Sequence, residues 1–283
     1  MADGTGAGRF ELAALDMDGT LLNTAHETTV YTCGVLARAS AAGKVIAVCT
    51  GRCLSELWAH LEAIPGIGYA ICENGGCLYD VKAKRILEKA VIPEADADRV
   101  LDAARDLDVC VQCFIGDQSY MRLGEAEELK RYHIYDFWEV FRAGSVFVRD
   151  MDALRREVDR PVEKINLYFT TAAERDRFAE KVGEIDLNMS ASLGIGYEIS
   201  PREAAKGLGL QKLCRHLGIP VERAMAVGDG GNDIDLMSAA GFAVAMGNAI
   251  DEVRRLADAF TEDCDHDGAA RAVERWLLGG AEA

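Results

Sequence analysis

The chain lacks the features that mark a membrane or an exported protein. None of its apolar runs approaches the roughly 20 residues needed to cross a bilayer. The segment Met1 to Arg9 lacks the basic-then-apolar order of a signal peptide. The nine cysteines are an odd number scattered along the chain, which fits a reducing compartment better than a disulfide framework. The sequence therefore predicts a cytoplasmic protein with no membrane partner.

Positive charge is also scarce. The 31 basic residues are outnumbered by 47 acidic residues, so the formal net charge is -16. Such a surface repels a polyanion, and we do not expect nucleic acid as a partner. A small phosphorylated molecule is not excluded by this charge, because a few local cations and a metal ion suffice to bind it.

Internal repeats and low-complexity stretches are absent as well. Apolar residues make up 49% of the chain and charged residues 28%, which is ordinary globular usage, so the chain should fold. At 283 residues it is too long for one average domain and short for three. One large domain or two medium domains are therefore expected.

The order of predicted elements indicates a doubly wound α/β core with an insertion. Apolar runs at 10–15, 44–49 and 69–72 predict strands, and segments of helical spacing lie between them. The same alternation returns after residue 206, whereas the region from about 80 to 200 has the mixed order of an α+β domain. We predict a Rossmann-like parallel sheet built from residues 1–79 and 201–283, interrupted by an inserted α+β domain at 80–200.

The strongest chemical signal is a pair of carboxylates directly after the first predicted strand. Asp16 and Asp18 stand two residues apart in Asp16-Met17-Asp18-Gly19-Thr20, so both can project to one side of the strand end. The carboxyl ends of parallel strands are where such sheets bind ligands. One carboxylate can attack phosphorus, while the other protonates the leaving oxygen and later takes a proton from water. A solvated turn is the alternative interpretation, since Asp, Gly and Thr are all turn residues.

A second acidic loop follows the predicted strand at 224–227. Asp229 and Asp233 lie within the loop Gly228-Asp229-Gly230-Gly231-Asn232-Asp233 and offer hard oxygen ligands for a divalent cation. Mg²⁺ fits, because it typically takes one or two carboxylates, several waters and a phosphate oxygen. The ion would also relieve repulsion between Asp16 and Asp229. An acidic helix terminus, favoured by the helix dipole, accounts for Asp233 alone.

Two further positions suit phosphate binding. Thr50-Gly51-Arg52 follows the second predicted strand and offers a hydroxyl and backbone amides near a helix start. Lys206 begins its own predicted helix and could reach the same cleft as a compact positive charge. Each alone would be read as an ordinary cap or a surface lysine. Their corresponding places in one folding pattern favour the phosphate-binding interpretation.

These motifs together resemble a known superfamily. Taken in order, Asp16-x-Asp18-Gly-Thr, Thr50-Gly-Arg, Lys206-Gly and Gly-Asp229-Gly-Gly-Asn-Asp233 are similar to the four motifs of the haloacid dehalogenase-like superfamily. The turn Glu73-Asn74-Gly75-Gly76, the insertion between the second and third motifs, and the tail Val244-Ala-Met-Gly-Asn-Ala249 resemble the Cof-type sugar-phosphate phosphatases. The resemblance spans almost the whole chain, although in the middle domain it rests on element order. Cys264 departs from it, standing about where an asparagine is common.

The resemblance implies a Mg²⁺-dependent phosphomonoester hydrolase with an aspartyl-phosphate intermediate. Asp16 would be the nucleophile and Asp18 the general acid and base. The metal would be bound by Asp16, the backbone carbonyl of Asp18, and Asp229, with Asp233 and Asn232 completing or orienting the site. The inserted domain would be a cap that closes over a small phosphorylated metabolite. The residues implied in phosphate binding are Met17, Thr50, Gly51, Arg52, Lys206 and Asn232.

Two alternatives stay open at this point, a phosphosugar mutase and a non-catalytic phosphometabolite-binding protein. The large insertion argues against the first, because mutases of the superfamily usually carry a small cap near the first motif, and the complete motif set argues against the second. The substrate and the oligomeric state cannot be read from the sequence. Candidate cap contacts are Arg122, Lys164, Asn166 and Glu198, although residues of these types are more often solvated surface residues.

The histidines and the cysteine pair predict no site. The histidines at 26, 60, 133, 216 and 266 stand isolated from one another, so they do not indicate a histidine-based nucleophile pair. Cys110 and Cys113 lie three apart in a predicted strand, where their side chains face opposite sides.

Overall fold

The computed structural model describes residues 9–151, 154, 158, 160–192 and 194–280. The segment Met1 to Arg9 was compared with a signal peptide above, and its residues 1–8 lie outside the described residues. The strands are β1 Leu12–Asp16, β2 Val45–Cys49, β3 Ile67–Cys72, β4 Cys77–Asp80, β5 Arg85–Lys89, β6 Val109–Ile115, β7 Gln118–Arg122, β8 Ser145–Val148, β9 Val162–Phe169, β10 Asn188–Ser192, β11 Gly196–Ser200, β12 Ala224–Gly228, β13 Phe242–Ala245 and β14 Ala259–Phe260.

Helices connect most of these strands. The α-helices are α1 Val30–Ala41, α2 Trp58–Ala63, α3 Glu94–Ala104, α4 Leu123–Ala126, α5 Trp138–Gly144, α6 Ala172–Val182, α7 Lys206–Leu217, α8 Ile234–Ala239, α9 Asp251–Leu256 and α10 Gly268–Ala272. Short 3-10 turns occur at Leu54–Glu56, Glu73–Gly75, Tyr135–Phe137, Val221–Arg223, Gly231–Asp233 and Cys264–His266, and a π-helical turn follows α10 at Val273–Leu277. Among the described residues no helix combines the length and apolar character needed to cross a membrane.

The first sheet has the predicted doubly wound form. Its strand order is β14-β13-β12-β1-β2-β3-β4-β5, with parallel pairing from β14 to β3 and antiparallel pairing from β3 to β5. Every residue of β1 and β12 is buried, as expected for central strands covered on both faces. From β1 the chain builds the sheet outward in one direction and later returns to build it in the other. The switch point therefore lies between β1 and β12, where such sheets bind ligands.

The second sheet belongs to the inserted segment. Its order is β10-β11-β9-β6-β7-β8, antiparallel except for the β7–β8 pair. Apolar residues of β6 and β9 pack with residues of α3 and α6, including Val100, Ile165 and Phe178. This mixed architecture confirms the prediction of an inserted α+β domain, because helices pack against a largely antiparallel sheet.

The chain forms two compact units, which we call the core unit and the inserted unit. The core unit comprises residues 1–51, 59–89 and 205–283, and the inserted unit comprises residues 52–58 and 90–204. The sequence placed the inserted domain at 80–200. Residues 85–89 lie instead with the core, because β5 pairs with β4 at the edge of the first sheet. The stretch 52–58 lies with the inserted unit, where the Ser55 hydroxyl donates to the Gly144 carbonyl oxygen.

Candidate active site

The two acidic loops meet because their strands are neighbours in the core sheet. β1 and β12 pair in parallel, with Leu15 opposite Val227. Asp16 is the last residue of β1, and Asp229 directly follows the last residue of β12. The carboxylate-bearing ends of both strands therefore stand at the same edge of the sheet, at its switch point. Asp16 is only 5% exposed there.

Gly19 allows the first loop to turn against the second. Its φ of +80° lies in the left-handed region, and a Cβ added at this position would stand 2.7 Å from Asp229 Oδ2. Next to it, the Thr20 hydroxyl donates to Asp229 Oδ1 at 2.8 Å. The tight turn thus brings the Thr20 side chain across to fix the carboxylate of the neighbouring loop.

Lys206 ties two of the carboxylates together. Its Nζ lies 2.5 Å from Asp16 Oδ1 and 2.7 Å from Asp233 Oδ1, and the side chain is fully buried. Burial lowers the pKa of Lys206, but the carboxylates of Asp16 and Asp233 outweigh it and hold that pKa well above its ordinary value. An ammonium has three N–H donors. Two face these carboxylates, so among the described residues one is left for an anion.

Asp233 organises the second loop from within. Its Oδ2 accepts the backbone N–H groups of Asp229 at 3.0 Å and Gly230 at 2.9 Å, while Oδ1 faces Lys206. Both oxygens of this fully buried side chain are thus already engaged. This arrangement suits an orienting role better than a place among the direct metal ligands.

The acidic cluster has the composition of a divalent-cation site. Asp16, Asp229 and Asp233 offer carboxylate oxygens that all lie within 4.8 Å of one another. Ligands on opposite sides of a cation bound at about 2.0–2.6 Å are about 4–5 Å apart, so Asp16 and Asp229 can share one ion. Three carboxylates and one ammonium leave two uncompensated negative charges. A dication neutralises this excess, and the donors are the hard oxygens that Mg²⁺ prefers.

The pKa values in the cluster reflect this excess of negative charge. Burial and the neighbouring Asp233 raise the pKa of Asp16 well above its usual range, against the opposing influence of Lys206. Burial also raises the pKa of Asp229 to about 6, although the hydrogen bond from Thr20 opposes the shift. Both carboxylates would be ionised more readily with a cation beside them.

Asp18 lies at the outer side of the same loop. Its side chain is 30% exposed, and its backbone forms an isolated bridge with Leu22. His26 Nδ1 lies 3.5 Å from Asp18 Oδ1. No residue pattern around His26 predicts this proximity, because it depends on the path of the loop between residues 22 and 27.

The predicted phosphate-binding residues are distributed over both units. Thr50 is buried just beyond the end of β2, where its N–H donates to the Ile71 carbonyl oxygen at 2.8 Å. Met17 buries its side chain, so only its backbone could serve an anion. Asn232 is exposed on the second acidic loop. Arg52 is buried and belongs to the inserted unit, whereas Gly51 ends the first segment of the core unit.

Asn248 is a further site residue that the sequence search for carboxylates passed over. It follows β13, the next strand beyond β12, and its Nδ2 donates to Asp229 Oδ2 at 3.1 Å and to the Gly19 carbonyl oxygen at 2.8 Å. A polar residue just past a third parallel strand was the available signal. Cys264 stands about where the superfamily commonly has an asparagine, and its backbone N–H donates to Asn248 Oδ1 at 3.0 Å.

The four candidate cap contacts all lie in the inserted unit, and two of them are not solvated surface residues. Lys164 is 1% exposed and lies 2.8 Å from Glu198 Oε2. Asn166 is 4% exposed, and its Nδ2 donates to Gln112 Oε1 at 3.0 Å. Arg122 pairs with Glu125 at the end of β7. Most buried polar groups of this kind are hydrogen-bonded, although Asn166 Oδ1 has no hydrogen-bond partner among the described residues.

Comparisons with known proteins agree with this fold. A family model described as haloacid dehalogenase-like hydrolase matches residues 13–273. Phosphatase YwpJ of Bacillus subtilis is 29% identical to the chain, covering 95% of it and 100% of YwpJ. HMP-PP phosphatase of Serratia proteamaculans is 28% identical, covering 95% and 96%. A solved haloacid dehalogenase-like hydrolase from B. subtilis matches with a TM-score of 0.83 and 26% identity, covering 94% of this chain and 100% of that one.

The chain belongs to the haloacid dehalogenase-like hydrolase family, since the family model spans most of its length. Within that family it is a phosphatase of the Cof type, which confirms the resemblance drawn from the motifs and the large insertion.

Proposed function

We propose that the chain is a Mg²⁺-dependent phosphomonoester hydrolase that acts through an aspartyl-phosphate on Asp16. The observation that carries this proposal is the junction of three buried or half-buried carboxylates with Lys206 at the ends of two neighbouring strands. A nucleophilic carboxylate, a fixed cation and a second carboxylic acid on the same loop are the parts that phosphoryl transfer to an aspartate requires.

Asp16 is held ready for attack. Lys206 engages Oδ1 of Asp16, which leaves Oδ2 to form the bond to phosphorus. As that bond forms, the bond from phosphorus to the substrate oxygen breaks, and Asp18 donates its proton to the departing alcohol. A water molecule then attacks the phosphorus of the acyl phosphate, and Asp18 takes a proton from it. Inorganic phosphate is released and the Asp16 carboxylate is restored.

The remaining residues bind charge. Mg²⁺ would be held by Asp16, the Asp18 carbonyl oxygen and Asp229, and when bound it supplies neutralising charge to the transferring phosphoryl group. Asp233 keeps Lys206 and the Asp229–Gly230 amides in place. The phosphate oxygens would be bound by the third Lys206 N–H, the Thr50 hydroxyl, the amides of Met17 and Gly51, and Asn232, with Arg52 supplying charge.

The substrate is proposed to be a small phosphorylated metabolite, such as a sugar phosphate. Two of the relatives reported above are named as phosphatases, and one of these is named for HMP-PP, which supports a small substrate. We propose that the inserted unit acts as a cap that selects the leaving alcohol. The nine cysteines are all free thiols, which supports the cytoplasm as the proposed location.

The test measures release of inorganic phosphate from 4-nitrophenyl phosphate, with Mg²⁺ and with EDTA. We expect activity only with the metal, and a loss of about 10³-fold or more in Asp16→Asn, because the nucleophile is removed while the side-chain size is kept. Mass spectrometry of acid-quenched wild type should find a phosphoryl group on the peptide that contains Asp16. Circular dichroism should show that the variant keeps its fold.

Asp251→Asn is the matched control, since this exposed acid of the core unit lies at the start of α9. It should hydrolyse the substrate at the wild-type rate. Turnover by Asp16→Asn close to that of the control would rule out the covalent route, and undiminished activity in EDTA would rule out the metal.

A further inference from the structure

A short loop of the core unit presents a histidine to the loop that carries Asp18. His26 Nδ1 lies 3.5 Å from Asp18 Oδ1, although eight positions of the sequence separate the two residues. Catalytic side chains often approach one another closely only when substrate binds, so a long separation without substrate is compatible with a functional contact. We propose that His26 is a positioning residue, which orients the Asp18 carboxyl group toward the leaving oxygen. The proposal rests on the phosphatase function proposed above.

The loop around His26 is closed by hydrogen bonds. Asn23 Oδ1 accepts the backbone N–H groups of Ala25 and Glu27, each at 3.0 Å. The His26 N–H donates to the Asn23 carbonyl oxygen at 2.9 Å, and the Asn23 N–H donates to the Glu27 carbonyl oxygen at 3.0 Å. These four bonds make a compact turn that fixes the direction in which the His26 side chain leaves the backbone.

The turn is also anchored to a second loop of the same unit. Asp265 Oδ1 accepts both the backbone N–H of Thr24 at 2.9 Å and its hydroxyl at 2.8 Å. With both ends held, His26 adopts a φ of +58°. A histidine in this left-handed region is uncommon, and such a conformation persists only where the surrounding structure imposes it.

The Asp18 side chain needs a neighbour that restricts its orientation. Its backbone is held by the bridge to Leu22 and by the Leu22 N–H, which donates to the Met17 carbonyl oxygen at 2.8 Å. Its side chain, however, is 30% exposed and must point its proton at one substrate oxygen. A contact from a rigid turn narrows the orientations that this carboxyl group samples, which is how supporting residues commonly raise the efficiency of a catalytic group.

A positioning role has a signature that a structural role lacks. An alkyl phosphate needs a proton on its leaving oxygen, whereas 2,4-dinitrophenyl phosphate expels a stable anion without one. The value of kcat/KM reports the steps up to release of the alcohol. Poor orientation of Asp18 should therefore lower kcat/KM for the alkyl phosphate far more than for the dinitrophenyl phosphate, while general damage to the site lowers both alike.

The test compares His26→Gly and His26→Asn with these two substrates. Both residues tolerate the left-handed backbone, and the Asn amide keeps a polar group near the place of Nδ1. For His26→Gly we expect kcat/KM for the alkyl phosphate to fall about 10-fold to 100-fold, part of the 10²-fold to 10⁴-fold that a positioned general acid contributes. His26→Asn should recover most of this loss. Asp251→Asn, the control used above, lies outside this turn and should leave kcat/KM for both substrates unchanged.

Equal losses for both substrates in His26→Gly would overturn the positioning role, as would a His26→Asn variant no better than the glycine variant. A wild-type rate in His26→Gly would do the same. If the wild-type protein hydrolyses neither phosphate, the phosphatase proposal itself fails and the role of His26 fails with it.

Discussion

The buried carboxylates of the site each have a different kind of partner. Asp16 faces the ammonium of Lys206, and Asp233 combines that ammonium with two backbone amides. Asp229 instead accepts from the neutral side chains of Thr20 and Asn248. Neutral donors orient a carboxylate but do not cancel its charge, and burial raises the pKa of Asp229 to about 6. A bound cation would therefore compensate the negative charge of Asp229 in particular.

A substitution at Thr20 tests whether Asp229 is a metal ligand that depends on its hydrogen bonds. Replacing it by valine keeps the side-chain shape and removes the hydroxyl that donates to Asp229 Oδ1. Loss of a supporting hydrogen bond to a metal ligand typically costs about 10-fold to 100-fold in metal affinity, so the Mg²⁺ concentration for half-maximal activity should rise by about that factor. Thr20→Ser keeps the hydroxyl and should stay near wild type. Equal Mg²⁺ dependence in the valine variant would contradict this role of Thr20.

At the level of elements, two helices together place Lys206. Lys206 is the first residue of α7, and the preceding Ala205 provides no side-chain cap. The cap comes from α8, where Asp235 Oδ2 accepts the backbone N–H of Gly207 at 2.8 Å. A Cβ at Gly207 would stand 2.4 Å from the Asp235 carbonyl oxygen, so the two helices touch at this point. The start of α7 is thereby fixed to the helix that follows the second acidic loop.

Removing this cap should affect both stability and turnover. We expect Asp235→Ala to lower the free energy of unfolding by about 1 kcal/mol, the usual cost of losing a helix cap, measured by urea denaturation. Because Lys206 is the neighbour of Gly207, kcat should fall as well. Asp235→Asn retains an acceptor oxygen and should keep most of both properties. Unchanged urea midpoints in Asp235→Ala would show that the helix start does not depend on this bond.

At the level of the whole molecule, a strongly acidic chain gathers several acids around one point. The net charge is -16, and two of the negative charges it includes stand uncompensated in the largely buried site. Ligand binding to the folded state alone stabilises that state. Metal binding should therefore be visible in the stability of the whole protein as well as in its activity.

Thermal denaturation with and without Mg²⁺ measures this linkage. At a free concentration about 100 times the dissociation constant, the metal should stabilise the fold by about 2.7 kcal/mol, which appears as a rise in Tm of the unit that binds it. Asp229→Asn should abolish most of the rise, because it removes a ligand and its charge. A rise of the same size in Asp229→Asn would place the stabilising metal elsewhere.

The parallel core was predictable because its strands are continuous apolar runs, and its acids stand directly after them. Asp16 and Asp229 could be paired in advance from their places after two such runs. The edge of the sheet was less predictable. β5 has mostly exposed residues, so its pattern does not show whether it belongs to the core sheet or to the insertion, and its pairing with β4 places it in the core sheet.

The sequence by itself determined the family, the doubly wound core and the acids of the site, because these depend on local patterns of apolar runs followed by motif residues. The tertiary structure alone decided which side chains other than the predicted Lys206 surround those acids. His26 and Asn248 reach Asp18 and Asp229 through loops whose paths are set by hydrogen bonds between distant segments. Such contacts depend on how separate segments pack, which the spacing of residues along the chain does not express.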